Sequence, residues 1–159
     1  LLVYQTAEGN EALVETLGKT GLPCRMYGMR RGITEDQIEG NLCYRPFSEE
    51  RFIEDLASAK GVIAGGGFTL MGEAVYLHKP MLAVPVGLQF EQVLNARYLQ
   101  REGFGRAADS LADPQTVWDF IDAIPGCKQK LAGYSQNGND DLLRTLDELL
   151  DRAAAGLLG

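Results

Sequence analysis

The chain has 159 residues, of which 45% are hydrophobic and 23% charged, with a formal net charge of -7 at neutral pH. That length accommodates one domain with a real core and crowds two, and the composition is that of a globular chain rather than a disordered or fibrous one. No apolar run approaches the roughly 20 residues that span a bilayer, and the acidic balance disfavours nucleic acid or an anionic membrane surface, where neutralising phosphate dominates binding.

Leu1 to Gln5 is apolar enough for a buried strand and lacks a basic leader or cleavage site, so it is not read as a signal peptide. With no initiator Met, the chain reads as a fragment of a longer protein. Thr6 to Asn10 is a turn, and Glu11 to Leu17 is apolar at helical spacing. Cys24 to Met29 is a second strand, Arg30 to Gly40 shows no clear period, and Asn41 to Arg45 is a third strand. Pro46-Phe47 breaks that run, and Ser48 caps a helix whose apolar positions are Phe52, Ile53, Leu56 and Ala57. Gly61 to Ala64 is the fourth strand, Phe68 to His78 a helix and Met81 to Val86 the fifth strand; Phe90, Val93, Leu94, Tyr98 and Leu99 mark another helix. Arg106 to Asp109 is a short sixth strand, Gln115 to Ile124 a helix ended by Pro125-Gly126, and Asp140 to Ala155 a last helix striped with Leu142, Leu143, Leu146, Leu149 and Leu150. Strands alternating with helices predict an α/β fold: a Rossmann-like, open, mainly parallel six-stranded sheet with helices on both faces.

Cys24, Cys43 and Cys127 are odd in number and widely spaced, which argues against a disulfide framework or a zinc site. The expectation is reduced thiols in a cytoplasmic protein without a metal site.

Ligands of such sheets sit outside the carboxyl ends of the strands, so the strand-to-helix turns matter most. Gly65-Gly66-Gly67-Phe68 places backbone amides with no Cβ in the way at a helix N-terminus, which suits a phosphate. Glu73, six residues beyond Gly67 among apolar neighbours, either accepts hydrogen bonds from ribose hydroxyls or is a solvated surface acid. Glu91, Gln92 and Asn95 cluster within one helical turn after the fifth strand; acid and amide together can read sugar hydroxyls, although a polar first turn is also ordinary. His78, the single histidine, stands at a helix end where a cation complements the dipole, and is assigned a capping role. No Ser/His/Asp constellation is evident.

At these residues the sequence resembles the C-terminal, donor-binding half of GT-B glycosyltransferases, nearest to the family 28 type that includes the N-acetylglucosaminyltransferase forming lipid II. The shared pattern is the glycine turn Gly65 to Gly67, Glu73, the step His78-Lys79-Pro80 with His where Gly is usual, Pro85, Glu91-Gln92 and Asn95-Ala96. The resemblance covers essentially the whole chain. It implies that Gly66, Gly67 and Phe68 hold the donor pyrophosphate with Thr69 beside them, that Glu73 holds the ribose, that Glu91 and Gln92 with Asn95 hold the transferred sugar, and that Arg45-Pro46-Phe47 edges the uracil. The turn after the first strand has one glycine where relatives have several, and Phe68-Thr69-Leu70 lacks the usual Ser.

The resemblance further implies the donor half of an enzyme that moves a sugar from a UDP-sugar to an acceptor, with inversion and no cofactor besides that donor substrate. The acceptor site and catalytic base would lie in an N-terminal domain absent before Leu1, and the final leucine stripe would pack on that domain or drive self-association. Alternatives are a nucleotide-sugar 2-epimerase-like domain, or a non-catalytic nucleotide-binding or partner-recruiting module. A nicotinamide or flavin oxidoreductase would need Gly-x-Gly-x-x-Gly after the first strand, where only Gly9 stands.

Overall fold

The computed structural model describes residues 1–5, 10–135 and 138–156. The elements run in the order β1 (Leu2–Tyr4), α1 (Glu11–Thr20), β2 (Cys24–Tyr27), β3 (Gln37–Glu39), β4 (Leu42–Tyr44), α2 (Glu49–Ser58), β5 (Val62–Ala64), α3 (Phe68–Tyr76), β6 (Met81–Ala83), α4 (Phe90–Arg101), β7 (Gly105–Ala107), α5 (Pro114–Ala132) and α6 (Gly138–Ala154). The strands form one seven-stranded sheet in the order β3-β4-β2-β1-β5-β6-β7, parallel except for β3. The expected turn at Thr6 to Asn10 lies outside the described residues apart from Asn10, whose side chain accepts from Leu13 N at 3.1 Å to cap α1.

Side chains of a buried parallel strand alternate between two covered faces. Leu2, Val62, Ala64, Met81 and Ala83 meet Phe52, Leu56, Met71, Ala74, Ala96 and Leu99 of α2, α3 and α4 on one face. Val3, Met26, Ile63 and Leu82 meet Leu13 and Leu17 of α1 and Val117 and Phe120 of α5 on the other. Burial pushes the thiols of Cys24 and Cys127 above their usual range.

Three expectations are corrected. The sheet has seven strands, not six, because Arg30 to Gly40 contains β3, a hairpin partner of β4 with Glu39 opposite Leu42. All three β3 residues are exposed, so no apolar alternation betrays it; the readable signal is Gly40-Asn41, with Gly40 at φ +60° in the first central position of a two-residue turn. Arg30 ties the hairpin down, donating to Gln37 Oε1 and Glu39 Oε1 while its guanidinium lies 3.6 Å from the centre of the Tyr44 ring.

The second correction is α5, which passes through Pro125-Gly126 and ends at Ala132. An interior proline costs roughly 3 kcal/mol, but ending there would expose Leu131 and Cys127, both buried in the core. Burying a leucine alone contributes about 1.5–3 kcal/mol. Third, the buried stripe of α2 is Phe52, Asp55 and Leu56, while Ile53 faces solvent. Ser48 is the N-cap residue of α2 but makes no side-chain cap bond.

Helix α3 closes in a Schellman motif. His78 N donates to Val75 O at 3.0 Å and Lys79 N to Ala74 O at 2.7 Å, with His78 in the left-handed region at φ 54°. His78 thus closes the helix through its backbone, in a conformation that favours Gly. The left-handed conformation costs an L-residue about 1–2 kcal/mol. His78→Gly is therefore expected to raise the thermal midpoint by about 2–4 °C; a fall in differential scanning calorimetry would mean that the imidazole's own contacts outweigh the relief of the backbone.

Candidate functional site

The glycine turn after β5, the turn after β6 and the segment after β4 lie at the carboxyl edge of the parallel strands. The strand order reverses between β1 and β5: β1, β2 and β4 extend one way, β5, β6 and β7 the other. A crevice opens where adjacent strands send their chains to opposite sides, and the glycine turn after β5 stands at it.

Gly67 is the N-cap of α3, and neither a side-chain cap nor an acidic first-turn residue occupies that helix start. The amides of Phe68, Thr69 and Leu70 point out of the helix end, carrying the positive pole of its dipole. Phe68 is 71% exposed. Glu73 is half-buried on the second turn of the same helix, and its carboxylate takes no hydrogen bond or ion pair from the described residues.

The turn after β6 clamps the glycines. Gln92 Oε1 accepts from Gly66 N at 3.2 Å and from Val86 N at 3.0 Å, and Gln92 Nε2 donates to Gln89 Oε1. Asn95 Nδ2 donates to Gly66 O at 3.0 Å and reaches Glu91 Oε1 at 3.5 Å. A Cβ on Gly66 would sit 2.4 Å from Gln92 O, so α4 can start where it does only because residue 66 is glycine. A Cβ on Gly67 would meet nothing within 4 Å, so packing does not demand that glycine. Gly65, Gly66, Gln92 and Asn95 are therefore brought together, and here Gln92 and Asn95 hold the turn. Glu91 is exposed on the same helix.

Phe47 is held apart from this group, on the β4 side. It leans on Tyr27 and Phe52, with ring centroids at 6.5 and 5.9 Å, and leaves 68% of its surface exposed. Strands β4 and β6 are four spacings apart in the sheet, about 19 Å at ~4.8 Å each, so the edge suits an elongated ligand.

Beneath Phe47 lies a cluster that sequence reading missed. Asp55 is buried, and its Oδ2 accepts from Tyr27 Oη and Arg45 Nη1, both at 2.6 Å, while Arg25 Nε lies 3.3 Å from Oδ1. A buried carboxylate is tolerated only with such partners. The cluster pins Arg45 and with it the start of Arg45-Pro46-Phe47. Its sequence signal was an acid at a core position of α2, three residues after Phe52. A larger hollow of about 540 Å³ between β7 and α5 contains none of the sequence-identified residues.

A family model described as glycosyl transferase family 1 matches residues 1–125. The chain belongs to this family. Within and around glycosyl transferase family 1, it is 32% identical over 106 residues to UDP-N-acetylglucosamine--N-acetylmuramyl-(pentapeptide) pyrophosphoryl-undecaprenol N-acetylglucosamine transferase 1 of Bacillus thuringiensis (strain Al Hakam), covering 64% of this chain and 29% of that protein. It is 33% identical over 87 residues to the transferase 3 of the same name from Bacillus cereus, covering 53% of this chain and 24% of the relative. The chain thus spans less than a third of each of these curated relatives. Among solved structures it resembles the spinosyn forosaminyltransferase SpnP, with a TM-score of 0.72 at 15% identity over 94% of this chain and 43% of that one. It also resembles MurG of Acinetobacter baumannii, with a TM-score of 0.63 at 16% identity over 92% of this chain and 49% of that one. The fold is the Rossmann-like α/β architecture of GT-B glycosyltransferases.

Two outcomes test the site's construction. Gly66→Ala forces α4 off the glycine turn and is expected to cost about 1–3 kcal/mol by denaturant unfolding; an unchanged midpoint would mean α4 is not seated there. The Tyr27 hydroxyl is pushed up from 10.0 to about 12, by burial first and then by its bond to the Asp55 carboxylate. The unfolded chain ionises near the ordinary value, so this stabilisation is whole below pH 10 and is lost as pH rises to about 12. Across that window the unfolding midpoint should fall more steeply for the parent chain than for Tyr27→Phe.

Proposed function

We propose that this chain is the donor-binding half of a glycosyltransferase that moves a sugar from a UDP-sugar to an acceptor, with inversion. The observation that carries the reading is the clamped glycine turn, which opens α3 at the point where the strand order reverses, with a carboxylate on the same helix that has no hydrogen bond or ion pair among the described residues. Membership of glycosyl transferase family 1, and relatives named for transfer from UDP-N-acetylglucosamine, support it.

In this reading the amides of Gly67, Phe68 and Thr69, with those of Gly65 and Gly66, receive the diphosphate. As the glycosidic bond to the leaving diphosphate breaks, negative charge grows on its oxygens, and pre-aligned amides at a helix N-terminus stabilise that charge without reorganising. Gly66 N is engaged by Gln92, so diphosphate binding there exchanges a neutral acceptor for an anionic one, the stronger partner. Glu73 accepts from the ribose hydroxyls, Phe47 edges the uracil, and Glu91, Gln92 and Asn95 face the sugar. The nucleotide sugar is substrate, and no separate cofactor is invoked.

The acceptor site and catalytic base we assign to an N-terminal domain of the longer protein. Phe47, Phe68, Val86, Leu88 and Phe90 are exposed apolar side chains on turns and helix starts at the carboxyl edge, a rim suited to cover by such a domain. No residue of α6 is buried, and its leucine face would pack on that domain or on a second copy. Among the described residues no helix is long and apolar enough to cross a membrane. With its cysteines free, we place the protein in the cytoplasm.

Calorimetric titration with UDP, UDP-N-acetylglucosamine and NAD tests this. The UDP species should bind, and Glu73→Ala should weaken them at least about tenfold, the loss of one hydrogen bond to a charged group. NAD binding without UDP binding would sink the proposal.

A further inference from the structure

The two outer strands of the sheet, β3 and β7, end it differently. At the β7 edge Ala107 N donates to Gln100 Oε1 at 2.9 Å, so a side chain already covers an outward main-chain donor. The β3 edge carries no such cover. Cys24 N donates to Asn41 O and Arg45 N donates to Met26 O, so residues 41, 43 and 45 turn their main-chain groups to β2, and Leu42 and Tyr44 turn theirs to β3. Ile38 stands opposite Cys43, and by the same alternation its N–H and C=O point away from β4 to the open edge. Neither group has a partner among the described residues. The Ile38 side chain is 74% exposed.

Both ends of β3 are tied down. Arg30 donates to Gln37 Oε1 and Glu39 Oε1, and Arg51 Nη2 donates to the Asp36 carboxylate at 2.8 and 3.0 Å, just before the strand begins. An exposed edge strand with an apolar residue is a template for another strand unless Lys, Pro, a bulge or a covering segment blocks it. Gln37-Ile38-Glu39 has none of these.

We propose that β3 is an interface with a second copy of this chain, the two β3 strands pairing antiparallel about a two-fold axis at Ile38 and joining the sheets edge to edge. The strand is complementary to itself, which favours this occupant. With Ile38 opposite Ile38, each copy exchanges both outward main-chain groups, and Gln37 stands opposite Glu39 of the second copy in a non-hydrogen-bonded pair, where side chains lie closest. Arg30 engages Gln37 Oε1 and Glu39 Oε1, which leaves Gln37 Nε2 and Glu39 Oε2 to meet as donor and acceptor, once on each side of the axis. No like charges are opposed within the strand. Three paired residues bury far less than a standard interface, so the association is weak. The proposal goes beyond the nucleotide-sugar reading and does not depend on it, because β3 carries none of the donor-site residues.

Sedimentation equilibrium of the 159-residue chain, from micromolar to millimolar concentration, tests this beside Ile38→Pro and Ile38→Lys. The N–H of Ile38 is not used in the β4 ladder, so Ile38→Pro keeps the hairpin while removing one donor from each copy. Ile38→Lys sets like charges against each other. The parent should dimerise, its Ile38 amide exchanging hydrogen more slowly as concentration rises. Both variants should associate about tenfold more weakly or worse, with the thermal midpoint in dilute solution unchanged. If Ile38→Pro shifts that midpoint, Ile38→Lys, at an exposed side chain, decides. Association through the exposed leucine face of α6 would instead be lost in Leu146→Glu and insensitive to both Ile38 variants. That result overturns the proposal, as does a parent chain that stays monomeric throughout or Ile38 variants that dimerise like the parent.

Discussion

The candidate site depends on one close approach. Residue 66 has no Cβ, so the carbonyl of Gln92 can come within the space that side-chain atom would fill, and α4 can begin directly against the glycine turn. That contact brings with it the bonds of Gln92 to Gly66 and Val86 and of Asn95 to Gly66. The turn after β5 and the turn after β6 become one rigid piece. A phosphate cradle made of flexible glycines alone would lose ordering entropy on binding; one held by two amide side chains is ordered beforehand.

A second piece is built the same way from charge. Asp55, Tyr27, Arg45 and Arg25 bury a carboxylate with its partners on the β4 side of the crevice and pin the segment bearing Phe47. Between the two pieces lies β1, and Gln5, just beyond it, carries a buried side-chain donor without a partner among the described residues. The carboxyl edge therefore has two preformed walls and, at their junction, a polar group without a partner. Rigid walls with unsatisfied polarity at one point are what a binding crevice requires.

Most of the fold was legible. Apolar periodicity located α1, α2, α3 and α4 and six of the strands to within a few residues, because each buries apolar side chains that repeat along the chain, and it located α6 by a leucine stripe that is exposed. It missed β3, whose residues bury nothing, and stopped α5 at Pro125, because a local helix breaker was outweighed by core burial of Cys127 and Leu131 farther on. On the site, the motif spacing named Gly65 to Gly67, Glu73 and Glu91-Gln92-Asn95. It did not reveal that Gln92 and Asn95 grip Gly66, since a hydrogen bond across 26 or 29 residues leaves no local pattern.

The sequence by itself determined the α/β class, the family resemblance and the position of the glycine turn ahead of α3, all of them properties of residues near one another in the chain. Only the tertiary structure decided that β1 lies beside β5, and hence that Gln5 and Gly65 face the same crevice. It likewise buried Asp55, which sequence reading had not singled out, as an anchor. Strand order and burial are settled by packing between segments distant in sequence, and that competition is not written in any one of them.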